Sequence, residues 1–350
     1  MKSFDTEFLK NLVIPHRVIR MLSDIARLQG RQELYLEKAP EVLANLKQVA
    51  IIESVESSNR IENIVVGPKT IQAIVKDDQQ PDESVRAQGE VAGYRDVLKS
   101  IHDSAPHIPF THGVVLQFHR DLMKYTRQPG GMWKASANQI AEKYEDGTLK
   151  RIRFQPVEPF ETPEYMEVLH RRCNAMLQNA DIDPLLLIPL YILDFLCVHP
   201  FSDGNGRMSR LLTSLMLYQQ GFEVCRYISL ERLVERTKDS YYETLYTSSQ
   251  GWHEAKHDPL PFVEYLLSLV LGAYRELEQR SDVVRAIPEV KTGIVLKALE
   301  DMVGSFTFTQ LEKKCPLVSK QMIRLVLNRL RDEGKIKQSG RGPASRWEKC

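Results

Sequence analysis

VHPFSDGNGRMSR, residues 198–210, separates two apolar segments of the chain. Residues 185–198 upstream and 211–218 downstream carry apolar side chains at helical spacing, and each segment is long enough for a buried helix. A core helix does not usually end in a histidine, a carboxylate, a Gly-Asn-Gly turn and two arginines. The junction therefore predicts a polar site held between two buried helices.

The turn is built from residues that stop one helix and start another. Pro200 ends the first helix and leaves His199 at its C-terminal end. Gly204 and Gly206 allow a tight turn and a close approach of the backbone to a ligand, and Asn205 between them tolerates unusual φ angles. Because the second helix begins here, its unpaired N–H groups and positive dipole end make an anion site.

The charged residues of the junction suit phosphate chemistry. Arg207 and Arg210 lie one helical turn apart and can both reach phosphate oxygens. Asp203 offers a hard oxygen ligand for Mg²⁺, and His199, with an ordinary pKa near ~6.5, can take a proton from a hydroxyl. The structural alternative is a helix corner with a capping aspartate and solvated arginines. The presence of all these groups at one glycine turn argues against it.

At this point the sequence resembles the Fic family. The family signature, His-Pro-Phe-x-Asp-Gly-Asn-Gly-Arg-x-x-Arg, is filled at every defined position by residues 199–210. The resemblance implies an all-α fold that binds ATP with Mg²⁺, transfers AMP to a Ser, Thr or Tyr hydroxyl of a protein and releases pyrophosphate. It also implies that His199 is the general base and Asp203 the metal ligand. The implied phosphate-binding residues are Gly204, Asn205, Gly206, Arg207, Met208, Ser209 and Arg210.

A second motif of that family lies in a helix predicted at about 41–64. Its last turn is polar and by itself is typical of an exposed helix end. Ser58-x-x-x-Glu62-Asn63 matches the family's inhibitory pattern, in which the glutamate pairs with the second motif arginine, here Arg210. A carboxylate on Arg210 removes a donor for the γ-phosphate and repels that phosphate. The sequence leaves open whether Glu62 blocks ATP or activates a water that removes AMP from a modified protein.

A small hairpin interrupts the helical pattern. Residues 133–140 are predicted to be extended, Tyr144–Leu149 carry an Asp-Gly turn, and residues 151–154 alternate in polarity. It is either a surface hairpin or, by resemblance to the family, a flap that holds a target segment by strand addition, with Gln139 and Ile140 in contact with the target. Fic proteins usually have an arginine shortly after the glycine and aromatic; this chain departs from that pattern with a lysine.

Three other polar positions have competing interpretations. The Tyr-Tyr pair at 241–242 is typical of a core, but the resemblance places Tyr242 against the adenine, since a flat ring suits base stacking. We interpret the stretch around Glu90 as core packing. His253 and His257 suggest a metal cluster at first, but without a fourth ligand we expect surface histidines.

A C-terminal domain follows a boundary at Pro288 and resembles a winged helix-turn-helix. Three predicted helices precede two short strands around a Gly-rich tip. The predicted domains are N-terminal helices at 1–110, a Fic core at 111–287 and the winged domain at 288–350. The third helix and the wing are basic, which suits DNA or a protein partner. An alternative to the enzyme is therefore a DNA-binding regulator in which the Fic core senses a nucleotide. The basic residues are Lys320, Arg324, Arg329, Arg331, Lys335, Lys337 and Arg341.

The composition bounds the remaining possibilities. With 350 residues and 43% hydrophobic content the chain can build two domains, and its net charge of +1 gives no whole-chain attraction to nucleic acid. The five scattered cysteines form no CxxC pair, which suggests reduced thiols in a cytoplasm. No stretch has the character of a signal peptide or membrane span. We therefore expect a cytoplasmic protein without a membrane partner. Its expected partners are a target protein and the chain itself, as a substrate or as the second copy in a homodimer.

Overall fold

The computed structural model describes residues 2–38, 40–77, 80–82, 84–143, 148–179, 181–286, 288–302, 304–315, 318–340 and 345–349. The chain divides into two compact units. The first comprises Met1–Gln29 and Leu46–Tyr274, and the second comprises Gly30–Asn45 and Arg275–Cys350. The domain boundaries at 110/111 and 287/288 stay predictions.

Helices dominate the described residues, which confirms the mostly helical fold expected from the sequence. Short 3₁₀ turns at Ala105–His107 and Glu223–Arg226 join some of them. The first twelve helices, α1 to α12, are Thr6–Lys10, His16–Lys38, Pro40–Ile61, Pro68–Val75, Arg86–Ser104, His112–Met123, Thr162–Asn179, Pro184–Val198, Asn205–Gln219, Leu230–Arg236, Lys238–Ser249 and Leu260–Ala286.

The core of the first unit surrounds α8. Every residue of α8 from Leu187 to Val198 is buried, and the helix packs against α7 and α9. Asp183 caps its first turn by accepting a hydrogen bond from Leu185 N at 2.9 Å. A helix that is apolar on all sides belongs inside a core. Because α9 is buried almost as fully, the turn between α8 and α9 is fixed from both sides.

The predicted hairpin is present as an antiparallel pair, but the prediction that residues 133–140 are extended was wrong for 133–139, since the first strand begins only at Ile140. Strand β1 (Ile140–Lys143) pairs with β2 (Leu149–Phe154), with Ile140 opposite Phe154. β2 lies against α11, where the Arg151 guanidinium stacks on the Tyr246 ring at 4.7 Å. The turn predicted from the Asp-Gly pair falls on residues 144–147, which lie outside the described residues.

The second unit contains the predicted C-terminal helices and hairpin. Helices α13 (Pro288–Glu300), α14 (Phe308–Lys314) and α15 (Lys320–Asp332) accompany strands β3 (Phe306–Thr307), β4 (Ile336–Ser339) and β5 (Arg346–Lys349). The antiparallel sheet has the order β3-β5-β4, and β3 was not predicted. Four apolar residues of α15 are buried, and the opposite face is polar apart from the exposed Leu325. The buried residues are Ile323, Val326, Leu327 and Leu330; Arg341, predicted in the wing, lies outside the described residues.

His257 is buried, so the expectation of a surface histidine there was wrong. The Ser3 hydroxyl lies 2.9 Å from His257 Nε2 and donates to Asp194 Oδ1 at 2.6 Å. Trp252 Nε1 donates to the same carboxylate oxygen at 2.6 Å. The histidine has a buried polar network because distant parts of the chain supply its partners. Sequence spacing cannot show such partners.

Two further expectations bear on the environment of the protein. Cys173, Cys197 and Cys225 are buried thiols outside any disulfide, as their scattered spacing predicts. Among the described helices, none is both long enough and apolar enough to cross a membrane.

Candidate active site

The predicted site lies on the turn between α8 and α9. His199 follows the last residue of α8 with a left-handed backbone, φ 51°. Gly204 is left-handed as well, φ 84°, and α9 begins at the next residue, Asn205. The left-handed backbone at this position favours glycine, and an added Cβ would also displace the end of the Met123 side chain, 2.8 Å away. The two buried helices predicted on either side of this turn are confirmed.

The Asn205 side chain holds this turn together. Its Oδ1 accepts from Phe201 N at 2.9 Å, and its Nδ2 donates to the Phe201 carbonyl at 2.7 Å. Met208 is buried in the core, and the Ser209 hydroxyl donates to the Gly206 carbonyl at 2.7 Å. These three side chains are therefore committed within the protein. If these three residues bind phosphate as predicted, they must do so through their backbone N–H groups.

His199 lines a cavity next to the turn. Burial, and after it the nearby ammonium of Lys134, lower the pKa of His199 to about 4. The imidazole is therefore neutral at pH 7 and able to accept a proton.

Both motif arginines are buried with unused donors. Arg207 is 1% exposed, and its Nη2 lies 3.7 Å from Glu90 Oε1 and 3.6 Å from Asp203 Oδ1. Within the described part of the chain, Nε and Nη1 of Arg207 and Nη1 of Arg210 have no partner. Burying a charged group with unfilled donors is costly. The two guanidinium groups therefore indicate an anion site.

A carboxylate already occupies one side of this anion site. Glu62 Oε1 accepts from Arg210 Nη2 at 2.8 Å. A Cβ on Gly206 would lie 2.2 Å from the same oxygen, so Glu62 rests on the first turn of α9. Ser58 accepts from Arg210 Nε at 2.8 Å through its hydroxyl and from Nη2 at 2.9 Å through its carbonyl. The structure thus brings the predicted motif residues onto Arg210.

The last residue of that motif explains how Glu62 leaves its helix. α3 ends one residue before Glu62, and Asn63 has a left-handed backbone, φ 61°. Ile64 N donates to the Asn59 carbonyl and Asn63 N to the Arg60 carbonyl, both at 2.9 Å. These two bonds form a Schellman cap, whose left-handed position favours glycine and tolerates asparagine. Asn63 therefore acts as a helix cap that sets the position of Glu62.

Asp203 is paired with a cation. Its Oδ2 accepts from Arg86 Nη2 at 2.9 Å, and its Oδ1 accepts from Gly204 N at 2.6 Å. Glu90 is also buried here, 2.9 Å from Arg86 and 3.7 Å from Arg207. The interpretation of Glu90 as core packing was therefore incomplete. Its burial is correct, but its carboxylate balances two cations of the site.

The single carboxylate of Asp203 suits a magnesium ion that is bound together with the phosphates of a nucleotide. No group of three or more His, Cys, Asp or Glu side chains able to hold a metal ion occurs in the described ranges. Mg²⁺ keeps several waters and is usually bound through one or two carboxylates together with substrate phosphates. Asp203, whose side chain is 40% exposed, suits that mode. To ligate Mg²⁺ it would exchange its contact with Arg86.

An apolar cavity of about 240 Å³ adjoins the loop. Tyr242 lines it as predicted, and Tyr241 lies beside it with ring centroids 5.2 Å apart. Ile140 of β1 also lines the cavity, whereas Gln139, just before that strand, is exposed. The other lining residues include Leu193, Leu196, Cys197, Arg153, Leu245 and Tyr246. Glu62, His199 and Arg210 line the same cavity, so an apolar pocket and an anion site meet at the imidazole.

These features define a helical protein with a glycine turn at an anion site between two buried helices. Residues 109–217 match the family model of the Fic/DOC family. The chain therefore contains a Fic/DOC domain, and the resemblance drawn from residues 199–210 is confirmed.

The relatives are distant. A protein adenylyltransferase, fic-1, of Caenorhabditis elegans is 26% identical over 194 residues, which cover 53% of this chain and 33% of that protein. A protein adenylyltransferase Fic of Drosophila mojavensis is 23% identical over 315 residues, 86% of this chain and 58% of its own. The chain thus spans one third to somewhat over half of these relatives. A crystal structure of a Fic family protein from Desulfovibrio desulfuricans G20 shares the fold, with a TM-score of 0.65 at 22% identity over 97% of both chains.

Sequence reasoning missed the residues that support the loop from outside it. Arg86 and Glu90 lie in a helix whose sequence pattern is amphipathic. Nothing in the neighbouring sequence indicates that their charges belong to the site. Lys134 was noted only as a departure from the family arginine, yet it is 3% exposed and contacts the turn. A lysine next to an aromatic residue is usually a surface residue, so a single sequence gives no sign of this burial.

Proposed function

We propose that the protein is an adenylyltransferase that moves AMP from ATP to a Ser, Thr or Tyr hydroxyl of a target protein or of itself. The observation that carries the proposal is the meeting of three groups at one cavity. These are a neutral His199, a buried Arg210 with an unused donor, and an apolar pocket lined by Tyr242. The names of the distant relatives support the same activity.

ATP would bind with its base in the apolar cavity and its phosphates on the turn. The aromatic rings of Tyr241 and Tyr242 suit stacking on adenine. Arg207 and Arg210 have donors to spare for the phosphate oxygens, and the N-terminus of α9 adds its dipole. A target segment would add to the edge of the hairpin near Ile140.

The reaction is an in-line displacement at the α-phosphorus. The target hydroxyl oxygen attacks phosphorus, the bond from that phosphorus to the bridging oxygen of the β-phosphate breaks, and pyrophosphate leaves. His199 takes the hydroxyl proton, for which its neutral imidazole is ready at pH 7. The two guanidinium groups meet the charge that develops on the phosphoryl oxygens. Asp203 would hold Mg²⁺, which when bound neutralises phosphate charge.

Glu62 restrains this activity in the proposed mechanism. Its carboxylate lies on Gly206 and on Arg210, where phosphate oxygens of a productively bound ATP would lie. A second anion in the same place is repelled, and Arg210 loses a donor to the carboxylate. Productive ATP binding therefore requires that Glu62 leave.

The test is transfer of label from α-³²P-ATP in a Glu62→Gly background, with and without His199→Ala. Glu62→Gly alone should label the chain or a lysate protein, and the double variant should lose labelling while its ATP affinity stays within a few fold. No hydrogen bond or ion pair among the described residues joins the His199 side chain to Arg207 or Arg210, so His199→Ala tests the base without removing a phosphate contact. Retained labelling without His199 would refute the mechanism.

The same site can run in the other direction. Glu62 lies in the cavity with His199, so it is also placed to activate a water against an AMP-modified hydroxyl. Wild-type protein incubated with a target modified beforehand by the Glu62→Gly variant separates the two directions. Release of AMP that depends on Glu62 would assign removal, and its absence would leave transfer as the direction.

For the second unit we propose DNA as the partner. The exposed face of α15 is basic beside its buried face, and Lys320 and Arg324 lie one turn apart near its N-terminal end. The acidic neighbours are weak competitors, because pairs such as Lys320 with Glu312 at 2.9 Å lie at the surface. Phosphate contacts of this kind would make binding strongly dependent on salt.

A gel-shift experiment on the full chain tests this partner. Lys320→Ala/Arg324→Ala should weaken binding and reduce the slope of log affinity against log salt by about 1 for each lost phosphate contact. Arg27→Ala/Lys47→Ala, a double change on exposed residues of the first unit, is the matched control. Equal binding by both double variants, or no shift at low salt, would exclude α15 as a DNA contact.

A further inference from the structure

A short segment before the hairpin contacts four consecutive carbonyls, those of residues 198–201, in the loop that carries His199. Lys134 Nζ donates to the Val198 carbonyl at 3.0 Å, and Lys134 N donates to the Pro200 carbonyl at 2.8 Å. Asn138 Nδ2 donates to the Phe201 carbonyl at 3.0 Å and lies 3.4 Å from the His199 carbonyl. Lys134 Nζ also donates to Asn138 Oδ1 at 3.0 Å, so the two side chains form one unit.

These contacts meet a need created by the end of α8. The last carbonyls of a helix have no partner within it, and here the next residue is left-handed and is followed by a proline without an N–H. The backbone of the loop satisfies the Phe195 carbonyl, through His199 N at 2.9 Å. An ammonium group at a helix C-terminus satisfies free carbonyls and matches the negative end of the dipole.

We propose that Lys134 and Asn138 are positioning residues for His199, which fix the left-handed loop so that the imidazole faces the reacting hydroxyl. The inference rests on the proposed transfer of AMP and deepens it. Neither side chain is among the residues that line the cavity, and neither bonds to the two motif arginines among the described contacts. Their effect on the reaction therefore passes through the loop.

Lys134 also sets the charge around the imidazole. It is buried without a carboxylate within 4 Å among the described residues, and burial lowers its own pKa to about 8. Its remaining positive charge opposes a second positive charge on His199. The other charged groups that act on His199 are Glu62 and Asp203, and both favour its protonation. Loss of Lys134 removes the opposing positive charge and leaves the carboxylates, Asp203 alone in the Glu62→Gly background, so the pKa of His199 should rise.

The experiment compares Lys134→Met, Lys134→Arg and Asn138→Ala in the Glu62→Gly background, with Lys124→Met as control. Lys124 is exposed at the end of α6 and lies outside the site. Lys134→Met should lower kcat about 10- to 100-fold, the range for a base displaced by up to an ångström. The Kd for ATP, measured by calorimetry, should stay within twofold. Lys134→Arg, which keeps charge and donors, should restore most of kcat, and Asn138→Ala should lower kcat alone.

A second readout does not depend on turnover. Two-dimensional NMR of the histidine rings should show a higher pKa for His199 in Lys134→Met and an unchanged pKa in Lys134→Arg. If the Glu62→Gly parent does not transfer AMP, the proposed function is refuted. The NMR titration of His199 then decides alone whether Lys134 acts on the imidazole. Should Lys134→Met fail to fold, Asn138→Ala decides the positioning claim through kcat. An unmoved kcat and His199 pKa, or a parallel loss of ATP affinity, would overturn the inference.

Discussion

Replacing Glu62 with glycine should release the enzyme from its own restraint. Productive ATP binding must first break the contact of Glu62 Oε1 with Arg210 Nη2 at 2.8 Å. Hydrogen bonds to charged groups contribute about 1.5–3 kcal/mol. Because the Glu62 side chain is 32% exposed, water screens the pair and the lower part of that range applies, about 1.5–2 kcal/mol. At about 1.4 kcal/mol for each tenfold, this predicts a rise in kcat/KM for ATP of about 10- to 30-fold.

Two variants separate charge from bulk in this test. Glu62→Gln keeps the size of the side chain and removes the negative charge, so it should give part of the increase. Glu56→Gln is the matched control, since Glu56 lies on the same helix and pairs with Arg60 instead of Arg210. Pyrophosphate release or self-labelling from ATP measures the rate. If Glu62→Gly binds ATP no better than wild type and transfers AMP no faster, Glu62 does not restrain the site.

Other consequences of the geometry can be measured directly. Gly206→Ala places a methyl group 2.2 Å from Glu62 Oε1, so it should expel Glu62 and also weaken ATP binding at least 10-fold by calorimetry, unlike Glu62→Gly. The lowered pKa of His199 predicts that kcat/KM of Glu62→Gly stays level from pH 7.5 to 5.5; an acid midpoint near 6.5 would contradict a buried neutral imidazole. The same shift makes the native state less stable as pH falls from 6.5 towards 4, because the unfolded chain then binds the proton. Asn63→Val forces a β-branched residue into the left-handed cap at a cost of about 1–2 kcal/mol, so it should lower Tm and partly release activity, whereas Asn63→Gly should keep the restraint.

The sequence predicted the parts of this site whose signals are local. The signature of residues 199–210, with its apolar flanks, specified the turn because glycine, proline and helical periodicity act within a few residues. The contact of Glu62 with Arg210 spans 148 residues and was predictable only through the family motif. The residues that hold the loop from outside, Lys134 and Glu90, were not predictable. Their roles come from burial beside unsatisfied backbone or charge, which tertiary packing creates and no spacing in the chain records.

The charges of the site explain why a single carboxylate can serve as a restraint. Arg86, Arg207 and Arg210 face Glu62, Glu90 and Asp203, so the closed site is balanced without a ligand. A triphosphate adds negative charge even when Mg²⁺ is bound to it. One carboxylate must therefore move out of the site for the charges to balance again. Glu90 is 2% exposed and touches two arginines, and Asp203 is needed for the metal. Glu62 stands directly after a helix end that is held by one cap, so it is the carboxylate of the three that can leave with least disturbance of the fold.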